Sequence, residues 1–168
     1  AAVYYLARMI EGGEDVKFIA RRLIISASED IGLANPNALM LANETFSAVE
    51  RVGWPESRII LSQCVIYLAT SPKSSSAYDA IGAAQKLVEQ TGNLETPDHL
   101  KNASSALAKD LGHGKGYLYP HCYPNSFVVQ EYLPQEISRT TLWTASGNLK
   151  EQQLSAQQQA LWKDKYEN

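Results

Sequence analysis

The segment Gly112-His113-Gly114-Lys115-Gly116 is the part of this sequence that most resembles a phosphate-binding loop. Closely spaced glycines leave backbone N–H groups accessible, and such groups form anion nests. Together with Lys101, Lys109, Lys115 and the imidazole of His113, the segment offers a basic patch for a phosphate or a nucleic-acid backbone. It is not a Walker A loop. The GxxxxGK[ST] spacing is absent, no strand is expected before it, and Gly116 stands where the Mg²⁺-binding Ser or Thr belongs. The plainer reading is a tight helix exit followed by a crossing of the chain.

The other reactive residue types fall short of a site. His113, His121 and Cys122 have no zinc-ligand spacing, and structural zinc needs four well-placed ligands. Glu11, Glu14, Asp15 and the pair Glu29-Asp30 stand at expected helix boundaries, where capping and the helix dipole account for them. No GxSxG is present; Ser74-Ser75-Ser76 reads as a capping cluster and Lys73 as a surface residue. Arg8, Arg21 and Arg22 read as a solvated face, with an intersubunit or DNA contact as the alternative. Tyr117, Tyr119, Tyr123, Phe127 and Tyr132 offer stacking faces for single-stranded DNA, but such platforms sit in basic grooves. Packing of an irregular segment, or a subunit interface, fits them better. No catalytic residue, metal site or cofactor site is expected, so the chain is not read as an enzyme.

Composition narrows the class further. The chain has 168 residues, of which 45% are hydrophobic, enough for one full core. A net charge of −3 and a pI of about 5.6 argue against a dedicated nucleic-acid module. Cys64 and Cys122 form no CxxC, and a reducing cytoplasm suits them. No apolar run reaches the roughly 18 residues of a membrane span. Ala1 stands directly inside a helical pattern with neither initiator Met nor cap, which reads as a piece of a longer protein.

The elements that must position these residues read as helices. Val3, Leu6, Ala7 and Ile10 share a stripe in a first helix over 1–11, ended by Gly12-Gly13. A second runs over 15–28 with Asp15 as cap. A third starts at Asn35-Pro36 and stops at Gly53. A fourth runs from Pro55-Glu56 to Thr70; it is apolar nearly all round and reads as the central helix of a bundle. A fifth covers 75–91 with Tyr78, Ile81, Ala84 or Gln85, and Val88 on one side, and a sixth 98–110. The segment from Gly112 to Ile137 is rich in Gly, Pro and Tyr and is expected to wrap over the bundle. Residues 139–149 read as an exposed loop and 149–166 as a Gln-rich helix. The expected organisation is a helical bundle over 1–111, with 112–168 as the irregular segment and last helix of the same domain.

Three runs then carry a family resemblance: SEDIGLA from Ser28, SPKS from Ser71 and LGHGKGY from Leu111, in that order. With the QEYLP of Gln130–Pro134, they make residues 1–137 similar to the C-terminal domain of the replication-associated recombination protein A (RarA, or MgsA) family of AAA+ ATPases, relatives of the Werner helicase-interacting ATPase. After Ile137 the fit weakens. The resemblance implies an all-α fold like the oligomerisation domain of clamp-loader subunits. It implies a homotetramer, with ATP and Mg²⁺ bound by a motor domain absent from these residues. It also implies a cytoplasmic, nucleoid-associated parent that acts at stalled forks on DNA with single-strand-binding protein. The alternative is a docking module for DNA or a replication protein at Lys101, Lys109, His113 and Lys115.

Overall fold

Gly12-Gly13, the Asn35-Pro36 turn, Gly53 and Ser71-Pro72 cut the first 75 residues into four helices of 10 to 16 residues, whose stability comes mostly from packing on one another. In the computed structural model, which describes residues 1–166, these are α1 (Ala2–Glu11), α2 (Val16–Ser26), α3 (Asn37–Val52) and α4 (Ser57–Thr70). α5 (Ser76–Thr91), the short α6 (Ala106–Asp110) and α7 (Leu149–Trp162) follow, and no strand forms among the described residues. The fold is all-α, as expected. Two compact units result: Ala1–Gly82 with Trp143–Ser155, and Ala83–Leu142 with the chain from Ala156 on. The division between these units falls inside α5 and α7.

In the first unit α4 packs against α1, α2 and α3. It joins two buried clusters, one around Leu6, Ile19, Val49, Leu61 and Val65, the other around Ala27, Ile31, Ala38, Cys64 and Leu68. Ala20, Ala38 and Ala42 are fully buried, and their small side chains let α2 and α3 approach closely. Apolar character all round α4 does not mean burial all round: Ile59 and Ile66 remain at least half exposed. α5 departs from expectation in the same way, since Tyr78, Ile81 and Val88 are all exposed and its one buried residue is Ser76.

The SEDIGLA and SPKS runs form one structural knot. After Ser26, α2 widens into a π-turn over Ala27–Ile31 rather than continuing as an α-helix to residue 28. The Asp30 carbonyl accepts the Ser74 N–H at 2.8 Å, and the Asp30 carboxylate accepts the Ser26 hydroxyl at 2.6 Å. Gly32 follows at φ +48°, where a Cβ would lie 3.1 Å from the Ser74 carbonyl oxygen. Both the dihedral and the space call for glycine. Asn35 does not cap α3 with its side chain. Its amide nitrogen instead donates to Tyr67 Oη and Ser71 Oγ on α4, and Pro36 occupies the cap position. Lys73 is a surface residue, yet its ammonium donates to the Leu68 and Ser71 carbonyls at 2.7 Å. A cation is favoured at that C-terminal end of α4.

The tail closes on this knot through Glu151, a fully buried carboxylate in the first turn of α7. Its oxygens accept the Ser146 N–H at 2.8 Å and the Asn148 amide at 3.0 Å, with further hydrogen bonds to Ser74 and Ser76. Asn148 Oδ1 returns the contact by accepting the Glu151 N–H, a variant of the capping box in which Glu151 accepts the Asn148 side-chain amide and the Ser146 N–H. Trp143 Nε1 donates to Ser76 Oγ at 3.1 Å. The loop over 139–149 is thus partly packed rather than simply exposed. Burial pushes the Glu151 carboxyl up, but the hydrogen bonds from Ser146, Ser74, Asn148 and Ser76 outweigh it and hold the group at about 2.

The second unit is mostly turns. Residues 98–110 do not form the single helix expected: a 3₁₀ turn covers Asp98–Leu100, and α6 starts afresh behind Ser105, whose hydroxyl accepts the Ala108 N–H. The Asp98 carbonyl accepts the Lys101 N–H of that 3₁₀ turn at 3.2 Å and the Gly114 N–H at 2.8 Å, in place of an α-helical donor. The aromatic segment is ordered by its own side chains. Phe127 and Tyr132 pack edge-on to Trp162, Gln130 Nε2 donates to the Leu118 carbonyl, and His99 Nε2 donates to that of Glu131. α7 ends at Trp162 and continues only as a 3₁₀ turn, Lys163–Tyr166.

Two predictions follow from the knot. Gly32→Ala should destabilise the fold by about 2 kcal/mol, read from denaturant midpoints. Glu151 has its folded pKa below the usual 4.5, so its contribution is present above pH 4.5 and lost as pH falls towards 2. It amounts to about 3 kcal/mol. Glu151→Gln should lower Tm at pH 7 and flatten the loss of stability between pH 5 and pH 2; an unchanged acid limb would contradict this.

Candidate functional site

The structure brings Lys101, Asp98, His99 and the Gly112–Gly116 loop together, but as a self-satisfied turn. Gly112, Gly114 and Gly116 all take positive φ. The N–H groups of Gly112, His113, Gly114, Lys115 and Tyr117 donate to backbone carbonyls at 2.8–3.3 Å, so few remain for an anion. Lys101 is held by Asp98 at 2.7 Å and Glu95 at 2.9 Å. The Lys101 hydrogen bond and charge, with His113 and His99 further off, hold the Asp98 carboxyl below its usual range; Asp98 and Glu95 in turn push the Lys101 ammonium up. Lys109 and Lys115 are exposed and make no ion pair among the described residues. His113 is half-buried beside them in the chain.

The remaining candidates are absorbed locally. Tyr119 meets the His121 ring at a tilt, centroids 5.1 Å apart, while Tyr117, Tyr119 and Tyr123 stay exposed. Lys165 sits over Trp162, 4.5 Å from the ring centroid, donates to the Gln130 carbonyl and approaches Glu131. Burial raises the Glu131 carboxyl, but the N–H groups of Leu133 and Tyr132 and the Lys165 ammonium bring it below its usual range. Cys64 is buried, which pushes its thiol up against the opposing hydrogen bond with Thr45, so it is an unreactive core residue. Arg8 lies over the Tyr4 and Tyr5 rings and Arg21 over Phe18. Glu151 is not among the residues that the sequence offers for chemistry, and the Asn148-x-x-Glu151 spacing is the signal of its place at a helix start. Fully hydrogen-bonded and out of water, it is a structural acceptor, not an acid–base group.

The surface with the least local explanation lies in the first unit. α1 and α4 leave between them an open groove of about 650 Å³, lined by Val3, Leu6 and Ile10 on one side and Trp54, Ile59 and Ile66 on the other. Trp54 is 57% exposed and Ile59 62%. Tyr4, Tyr5 and Met9 extend the apolar surface along α1. The helical spacing that buries Leu6 leaves Val3 42% exposed among the described residues. Arg58 and Glu11 are the charged residues lining the groove.

A family model described as the MgsA AAA+ ATPase C terminal matches residues 1–162. Replication-associated recombination protein A of Bacillus subtilis is 47% identical over 82% of this chain and 32% of its own length. An uncharacterized protein of Thermotoga maritima is 45% identical over 99% of this chain and 27% of its own. The ATPase WRNIP1 of Dictyostelium discoideum is 40% identical over 82% of this chain and 16% of its own. The chain spans about a third or less of the length of the curated relatives it matches. On a match of this extent, an all-α chain carrying the SEDIGLA, SPKS and LGHGKGY turns belongs to the MgsA (replication-associated recombination protein A) family of AAA+ ATPases, as a C-terminal domain.

Proposed function

We propose that this chain is the assembly domain of a longer AAA+ ATPase and that four copies associate through it. The observation that carries this reading is the exposed apolar face of α1 and α4. Contiguous apolar surface of this kind marks an interaction site. The family match agrees, since it concerns the C-terminal part of much longer relatives. Binding of ATP and Mg²⁺ then belongs to the rest of the parent, and no residue of this chain is catalytic. Phosphoryl-transfer ATPases use an arginine to stabilise charge in the transition state, and that arginine can come from a neighbouring molecule. A tetrameric collar holds motor domains at high effective concentration, so such contacts become intramolecular. Relatives named for replication-associated recombination support a role for the parent in DNA replication, recombination and repair at stalled forks, with DNA and single-strand-binding protein as partners.

A second reading, docking of a nucleic-acid backbone, rests on the exposed ammonium groups of Lys109 and Lys115, which make no ion pair among the described residues. It requires salt-dependent DNA binding. Binding that survives Lys109→Ala with Lys115→Ala would exclude that site.

Light scattering on the eluting chain at tens of micromolar should give four times the 18.5 kDa of one chain. Apparent Tm should rise with protein concentration, as mass action requires of a self-associating fold. A monomer throughout that range, with a concentration-independent Tm, would overturn the assembly reading.

A further inference from the structure

The geometry points to a two-fold contact in which the α1/α4 grooves of two copies face each other and Arg58 of each pairs with Glu11 of the other. The inference rests on the assembly reading and adds which face meets which, and by what symmetry. The groove is apolar except for a few polar side chains, and it carries one cation, Arg58, and one anion, Glu11. Both are exposed, and among the described residues neither makes an ion pair or a side-chain hydrogen bond within its own chain. Arg8, on α1 but not lining the groove, is engaged with the Tyr4 and Tyr5 rings.

A surface with one unpaired charge of each sign is complementary to itself. In a two-fold interface residue i meets j while j meets i, so a single Arg and a single Glu per chain give two ion pairs at no further sequence cost. A peptide or protein partner of uniform charge would leave one of the two unpaired in a desolvated groove. The exposed Trp54, Ile59 and Ile66 around the pair supply the apolar core that charged residues alone do not. Arginine suits the position because its planar fork binds a carboxylate in two-pronged fashion. A two-fold face closes on a dimer, so a tetramer built with it is a pair of dimers joined by a second face, not a four-fold ring.

Charge exchange in the full chain tests this. Arg58→Glu and Glu11→Arg should each place like charges across the contact and weaken association on the order of a hundredfold, lowering the mass by at least one level of assembly. The double variant Arg58→Glu with Glu11→Arg should regain the wild-type mass. Circular dichroism of each variant should match wild type, because both residues are exposed. Single variants that keep the wild-type mass, or a folded double variant that fails to recover it, would overturn the pairing. A wild-type chain that is itself monomeric would instead overturn the assembly reading on which the pairing depends.

Discussion

One buried carboxylate holds the first unit in register. Glu151 is withdrawn from water and stays ionised only because Ser146, Asn148, Ser74 and Ser76 converge on it. Removing charge from water is costly unless every lone pair is met, so the segments that bring these donors must be placed together. Ser74 also donates its N–H to the Asp30 carbonyl, which lies in the π-turn closed by Gly32. Trp143 reaches Ser76 from the loop before α7. The SEDIGLA run, the SPKS run and the start of the last helix are thus one construction, and the family's most distinctive residues serve folding rather than chemistry.

This explains what could be read from the sequence and what could not. Helical periodicity located α1 to α4, because Leu6, Ile19, Val49 and Leu61 are buried by the spacing that predicts them. Asp15 caps α2 as its type and place require. Periodicity does not locate the buried face of α5 or α7: Tyr78, Ile81 and Val88, which share one side of α5, are exposed, while Ser76 and Glu151 are buried. There the buried face is set by hydrogen bonds to residues distant in sequence, and hydropathy carries no record of them. The same holds for residues 98–110, where the Asp98 carbonyl accepts the Lys101 and Gly114 N–H groups in place of an α-helical donor.

The basic loop illustrates the converse. Its glycines and lysines resemble an anion site when read as a string, yet most of its N–H groups are bonded internally and Lys101 is neutralised by two carboxylates. The apolar surface of α1 and α4, by contrast, is invisible as a motif. It emerges only once the bundle shows which side of each helix is already covered. That exposed apolar surface is the observation on which the assembly proposal rests.

The most direct measurement is hydrogen exchange by mass spectrometry on the chain at two concentrations, one dilute and one at tens of micromolar. Association through this face predicts added protection in Ala2–Glu11 and Ser57–Thr70 at the higher concentration, with the Gly112–Gly116 loop unchanged. Protection that does not depend on concentration, or that appears in the loop instead, would contradict it.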